Sequence, residues 1–401
     1  MSKINFVDAH YSPMISQGNV YTLTKLEMAS GLVKLMVASL KRKVFFFEYC
    51  DVGGHKQSTV KEVPFTYIPS GAEIIAMDAF NKSSTSDDFV IGITIVKQPD
   101  PRVSDAGGIK QSSEMYFNIY SEWETSSQFN LENIAQNCFS LELSFIPYHL
   151  FHTHLPNTKE FVWLLSGSDE KIHLYREDKL NHCYQEISLH EFFPELVDLS
   201  AGIILWMDIV VSVEQDKRIT ALASENGSLS LSVVDIASRS VLFTHSSSFS
   251  GPLSSVRLFT IDEESLNLVV TSTLTPSAVY MNVIKEGLGN FVGLQDSGNF
   301  DCALCSLVAD IDMDGQPEIL IGTYGQELLV YKHVSNEWVL WDQMTLSSPI
   351  YSLLYIDMTS DGMKELVALT LKGVYIVQHF VDDVLKILKK RLELVCPESN
   401  K

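Results

Sequence analysis

Leu366-Val367-Ala368-Leu369, then Lys372-Gly373, then Val374-Tyr375-Ile376-Val377 is the stretch that decides the fold. A short apolar strand, a tight turn and a second apolar strand make a β-hairpin signature. The same unit stands at Ile319-Leu320-Ile321-Gly322, Tyr324-Gly325 and Leu328-Leu329-Val330-Tyr331. A third copy is Leu268-Val269-Val270-Thr271, Pro276 and Ala278-Val279-Tyr280-Met281. Working back along the chain, Ile219–Leu222 precedes Leu229–Leu231, Val162–Leu165 precedes Ile172–Tyr175, Val90–Ile93 precedes Tyr116–Tyr120, and Leu35–Ala38 precedes Val44–Phe47.

That makes seven copies. Ala368, Ile321 and Val270 hold equivalent places, 47 and 51 residues apart. A period near 50 residues with two strong strands per unit predicts a four-stranded propeller blade. The reading is an all-β, seven-bladed β-propeller with a short C-terminal helix. One blade cannot bury both faces alone, so the units must stack into a ring. Weaker strands are expected between the hairpins, as at Val339-Leu340-Trp341 and Ile350-Tyr351-Ser352-Leu353. Val20-Tyr21-Thr22-Leu23 is the candidate outer strand closing the ring. The propeller is assigned to 1–380, with a mobile insert over about 97–115 that holds Pro99, Pro101, Gly107 and Gly108. The helix and tail take 381–401, where Val384, Leu385, Leu388 and Leu392 fall on helical spacing.

The chain has 401 residues, with 29 Lys+Arg against 50 Asp+Glu, for a net charge of −21. A field of that sign repels phosphate backbones and anionic lipid surfaces, which excludes nucleic acid as a partner and disfavours direct membrane contact. The most apolar window, Ala201 to Val213, is too short to span a bilayer, so no transmembrane segment is expected. The first residues, Met1 to Asn5, carry no secretory apolar run. The six cysteines show no disulfide framework. These features predict a soluble, cytoplasmic protein.

The sharpest motif is Asp310-Ile311-Asp312-Met313-Asp314-Gly315-Gln316-Pro317-Glu318. Oxygen ligands at positions 1, 3, 5 and 9 of one tight loop suit a hard ion, and weakly held calcium is the candidate. Asp side chains also close such turns by accepting backbone N–H groups, with no ion at all. Both readings stay open, and no cofactor is required. A related loop, Asp357-Met358-Thr359-Ser360-Asp361-Gly362-Met363-Lys364-Glu365, replaces one carboxylate by Thr359 and brings Lys364 beside it. Cys302-Ala303-Leu304-Cys305 lacks a second ligand pair and reads as core. His152-Thr153-His154 lacks a neighbouring carboxylate and reads as surface. No nucleophile elbow, Walker sequence or dinucleotide fingerprint occurs, so no catalytic residue is assigned. Two basic runs, Lys41-Arg42-Lys43 and Lys386 with Lys389-Lys390-Arg391, are candidate contacts for an acidic protein.

The two acidic loops, each followed by an apolar strand and a tight turn, resemble the FG-GAP repeats of integrin α-chain propellers. A more specific resemblance runs along most of the chain. It is carried by Asn19-Val20-Tyr21, Phe65-Thr66-Tyr67-Ile68-Pro69, Ala72-Glu73-Ile74, Phe80-Asn81-Lys82-Ser83, Leu165-Ser166-Gly167, Ile172-His173-Leu174-Tyr175 and Phe193-Pro194-Glu195-Leu196. It continues through Thr323-Tyr324-Gly325-Gln326-Glu327-Leu328-Leu329 and Thr370-Leu371-Lys372-Gly373-Val374. These segments look like the kaptin family. The resemblance implies a non-catalytic scaffold subunit of the KICSTOR complex, which holds the GATOR GTPase-activating complex on lysosomes and restrains mTOR signalling under nutrient limitation. It implies as partners a second propeller protein, the SZT scaffold and a further small subunit. The alternative it implies is an actin-associated protein of lamellipodia and stereocilia. The acidic chain argues against direct filament contact, because actin is acidic too.

Overall fold

In a computed structural model the chain is described over residues 6–53, 55–99, 112–122, 129–181, 183–197, 199, 202–212, 216–261 and 265–395. Strands form seven four-stranded antiparallel sheets. Each sheet is a blade, and the first strands of successive blades pack side by side around a central axis. In the first blade the strands are Leu23–Glu27, Val33–Ala38, Val44–Val52 and His55–Val63.

The second strand of a blade is sandwiched between neighbouring blades, so both of its faces are apolar. Leu266–Ser272 and Glu318–Thr323 are buried at every position. Outer strands alternate instead, as in Ser240–Ser248, where only every other residue near the end is half-covered. Seven apolar clusters fill the seven junctions between blades. Trp163, Phe80 and Phe117 anchor the junction of the second and third blades. There Gly92 allows close packing, since a Cβ on it would lie 2.9–3.0 Å from Leu150, Phe117 and Trp163.

Polar links also join the inner strands. Met77 N–H donates to Tyr21 O at 2.9 Å, and His152 N–H to Asp78 Oδ2 at 2.9 Å. Met207 N–H donates to His149 Nδ1 at 3.2 Å, and Leu258 N–H to Asp208 Oδ2 at 2.7 Å. Each bridges adjacent blades, so inward-facing carboxylates do structural work that a pattern of apolar residues does not reveal.

Ring closure differs from the expectation. The outer strand of the seventh blade is Phe6–Pro13, paired antiparallel with Gly373–His379. The segment proposed for that role, Val20 to Leu23, leads instead into the innermost strand of the first blade. The physical reason is burial. An inner strand meets core on its apolar face, as Leu26 does at 0% exposure, whereas Phe6–Pro13 is solvent-facing and needs few apolar residues. Most of the predicted insert lies outside the described residues. The C-terminal helix spans Val381–Val395, and the short helices Leu131–Gln136 and Val283–Glu286 fill gaps between strands.

Candidate functional site

Each acidic loop joins the first and second strands of its blade, so both lie on one face of the ring. They share a backbone. Met313 and Gly315 have φ of 60° and 93°, and Ser360 and Gly362 have 58° and 87°. The glycines occupy the left-handed region at little cost. In both loops the first Asp gathers the turn. Asp310 accepts from Asp314 N–H at 3.0 Å and Gly315 N–H at 2.9 Å. Asp357 accepts from Ser360, Asp361 and Gly362. In both loops the final Glu is buried and turned inward. Glu318 accepts from Ile311 N–H at 2.9 Å, and Glu365 from Met358 N–H at 2.8 Å.

The carboxylate oxygens of Asp310, Asp312 and Asp314 lie within 4.8 Å of one another, a donor set of the type that suits a hard divalent ion. A cation of the chain already stands beside them. Lys332, on the third strand of the same blade, bonds Asp312 and also Asp314 at 2.6 Å and Glu318 at 3.2 Å. Its side chain is 6% exposed and lies over Trp341 at 4.9 Å. Burial works against its charge, but the bonds from Asp312 and Asp314 outweigh that and hold its pKa above the ordinary range. Burial, with the charge of Asp312 behind it, pushes Glu318 up to about 7. Any divalent ion at these oxygens would compete with the ammonium.

In the seventh blade, Gln378 holds the place of Lys332. Strand pairing sets Ile319 against Tyr331 and Leu366 against Val377, and the next residues are Lys332 and Gln378. Gln378 Nε2 donates to Glu365 at 3.1 Å, and Thr359 Oγ1 donates to the same oxygen at 3.1 Å. Lys364, expected beside this loop, lies over the ring of Tyr355 at 5.7 Å.

The basic runs leave from opposite ends of their blades. Lys41-Arg42-Lys43 forms a turn between second and third strands, where Lys43 pairs with Glu62 at 2.8 Å. Lys389, Lys390 and Arg391 are exposed on the C-terminal helix, and Lys386 pairs with Asp383. Along that helix Leu385, Leu388 and Leu392 are also exposed. Cys305 is buried in the core, as expected from its missing ligand partners, whereas Cys302 is only half-covered. The histidine pair differs from expectation. His152 lies on the inner strand Pro147–His154, with Nδ1 2.7 Å from Asp78, a carboxylate 74 residues away on the neighbouring blade.

A cavity of about 900 Å³ opens on the acidic-loop face at the first three blades and runs along the axis. Tyr21 also lines it, donating its hydroxyl to Leu205 O at 2.7 Å, with its ring tilted against His149 and stacked near Trp206. Arg257 lines it, with its guanidinium 4.8 Å from the Trp206 ring. Sequence reading missed Lys332 and Arg257. Their signal was a lone cation inside an otherwise apolar strand, Leu328-Leu329-Val330-Tyr331-Lys332 and Val256-Arg257-Leu258.

Seven four-stranded blades around one axis define a β-propeller, here with two acidic turns on one face. A family profile described as KICSTOR complex protein kaptin matches residues 6–389. KICSTOR complex protein kaptin of Mus musculus is 36% identical over 394 residues, covering 94% of this chain and 89% of the mouse protein. The chain belongs to the kaptin family. Two crystal structures of BBS1N in complex with ARL6DN share the fold. The lead-soaked one has a TM-score of 0.54 at 10% identity and covers 94% of this chain and 97% of that one. The mercury-soaked one has 0.56 at 11%, covering 94% and 98%. Among the described residues no helix is long and apolar enough to cross a membrane.

Proposed function

We propose that the chain is a non-catalytic scaffold subunit of a KICSTOR complex, one that recruits GATOR to lysosomes and restrains mTOR signalling when nutrients are scarce. The observation that supports this reading most is the family match across residues 6–389, joined to a relative whose name states membership of that complex. The fold suits the role, because a rigid ring carries loops on two faces and offers room for more than one partner. A stable interface needs about 800 Å² on each side. In this reading the protein is cytoplasmic and reaches the lysosome through its partners, a second propeller protein and the SZT scaffold among them. Lys41, Arg42 and Lys43 on one face and Lys389, Lys390 and Arg391 on the helix are the candidate contacts for acidic partner surfaces.

Removing the protein from cells should leave mTOR signalling high during amino-acid starvation, with GATOR dispersed from lysosomes. Normal shut-off in such cells, together with tight sedimentation of the purified protein with actin filaments, would replace this reading by the cytoskeletal one. Calcium has at most a weak structural role in the proposal, because Lys332 takes up the carboxylates that would hold it.

A further inference from the structure

The axial cavity is lined by a cation with no ion-pair or hydrogen-bond partner among the described residues. Arg257 stands on the inner strand Leu253–Thr260 of the fifth blade, and its Nε is buried without an acceptor. Trp206, beneath the guanidinium, is 6% exposed, and its indole Nε1 is buried without an acceptor as well. Among the described residues Arg257 forms neither an ion pair nor a hydrogen bond. In a chain of net charge −21 this is unexpected. A desolvated donor left unmade is costly, and acidic partners are abundant.

Most of the surrounding charges are committed, but Lys159, which also lines the cavity, has no ion pair among the described residues. Lys25 pairs with Glu27 at 2.5 Å and Lys82 with Glu177 at 2.7 Å. Asp78 holds His152, and Asp208 accepts the N–H of Leu258 while its carboxyl feels the charge of Arg257 without pairing to it. His149 Nδ1 accepts Met207 N–H, and burial beside Arg257 pushes the ring down to about 3, so it stays neutral. The enclosed Arg257 Nε and Trp206 Nε1 do not open on the cavity, so what a ligand there would meet is the rest of the guanidinium, which lines it.

We propose that this cavity is a receptor for a carboxylate, and that the carboxylate comes from an acidic loop or chain end of a partner protein. A guanidinium offers a two-pronged fork matched to a carboxylate, and stacking on Trp206 fixes its plane. Arg257 and Lys159 are the lining cations outside ion pairs, and the buried Asp208 offsets part of the Arg257 charge, so the small net excess suits a monoanion. A phosphate dianion would leave excess charge close to Asp78 and Asp208. The cavity is far larger than a small acid needs, and about 900 Å³ admits several residues of peptide. The proposal does not depend on membership of any particular complex.

The test is NMR of the tryptophan indole N–H signals, of which the chain has five, with Trp206→Phe to assign the one concerned. The probes are sodium acetate, a blocked tetrapeptide with a single glutamate, and its glutamine twin. The glutamate peptide should move the Trp206 signal saturably, and the glutamine twin should bind at least tenfold more weakly. Arg257→Gln should abolish the response with the other four signals in place. Arg257→Lys, which keeps the charge and loses the fork, should weaken it about tenfold. Tighter binding of the peptide than of acetate assigns the site to a protein tip, and equal binding assigns it to a free small carboxylate. No saturable shift with either carboxylate, an equal response to the glutamine twin, or an undiminished response in Arg257→Gln overturns the proposal.

Discussion

The loops 310–318 and 357–365 have the same backbone and the same first, fifth and last acids, yet they neutralise themselves differently. In the sixth blade Asp312 is answered by Lys332. In the seventh, Thr359 stands where Asp312 does, and Gln378 stands where Lys332 does. A charged pair in one repeat becomes a neutral pair in the next, and neither loop mixes the two. The difference teaches that the third loop position and the strand facing it form one unit. A buried carboxylate there is tolerated only with its own ammonium, because an uncompensated buried charge is expensive.

Lys332→Ala is the largest test of that comparison. It leaves Asp312, Asp314 and the fully buried Glu318 without their shared cation, and should cost about 3 to 5 kcal/mol in urea unfolding. The double change Asp312→Thr with Lys332→Gln copies the seventh blade and should recover most of the loss, since contacting residues are not additive. A loss below about 1 kcal/mol in the single variant, or no recovery in the double, would break the pairing argument.

The seventh blade has its own sensitivity, to acid. His379 follows Gln378, sits 2.8 Å from the Tyr355 hydroxyl and packs on Phe6 of the closing strand. Burial pushes its pKa down to about 4. The folded state therefore prefers the neutral ring. Its stabilising contribution is complete above the unfolded value of about 6.5 and is lost as pH falls from there towards 4. Allowing for partial exposure, wild type should lose about 1.5 kcal/mol more than His379→Gln between pH 7 and pH 4.5. Parallel pH profiles for the two proteins in urea unfolding would refute it.

Much of this fold was legible because middle strands are buried on both faces. Val90–Ile93 and Leu268–Thr271 read as continuous apolar runs for that reason. Inner strands were faint because their axial faces carry Asp78, Asp208 and Arg257, whose partners lie on other blades. The closing strand was missed because Phe6–Pro13 alternates towards solvent and offers no core signal. The acids of the candidate site were visible as a spaced motif. Lys332 was not tied to them, because only the hairpin register, with Ile319 opposite Tyr331, brings a residue 14 positions beyond Glu318 back to the loop.

Gln378→Ala measures the neutral half of the comparison. It removes one hydrogen bond to Glu365, which keeps those from Thr359 and Met358. The expected cost in urea unfolding is about 1 kcal/mol, well below that of Lys332→Ala. Equal losses in the two variants would mean that packing, rather than charge, sets the cost at this position.

Calcium gives the smallest effect and the finest discrimination. In wild type the ion must displace Lys332 from Asp312 and Asp314, so 1 mM calcium should leave the unfolding midpoint unchanged within error. Lys332→Gln removes the competitor and keeps the four acids. Oxygen sites at the weak end have Kd of about 10⁻⁴ to 10⁻³ M. By mass action 1 mM calcium should then stabilise the variant by about 0.4 to 1.4 kcal/mol. Magnesium should do less, because it demands stricter octahedral geometry and gives up its water reluctantly. Adding Asp312→Thr should abolish the gain, since it leaves the sixth-blade loop with the donor set of the seventh. Stabilisation of wild type to the same extent would mean that the ion and the ammonium do not share these oxygens, and the charge-pair account of the loop would have to be given up.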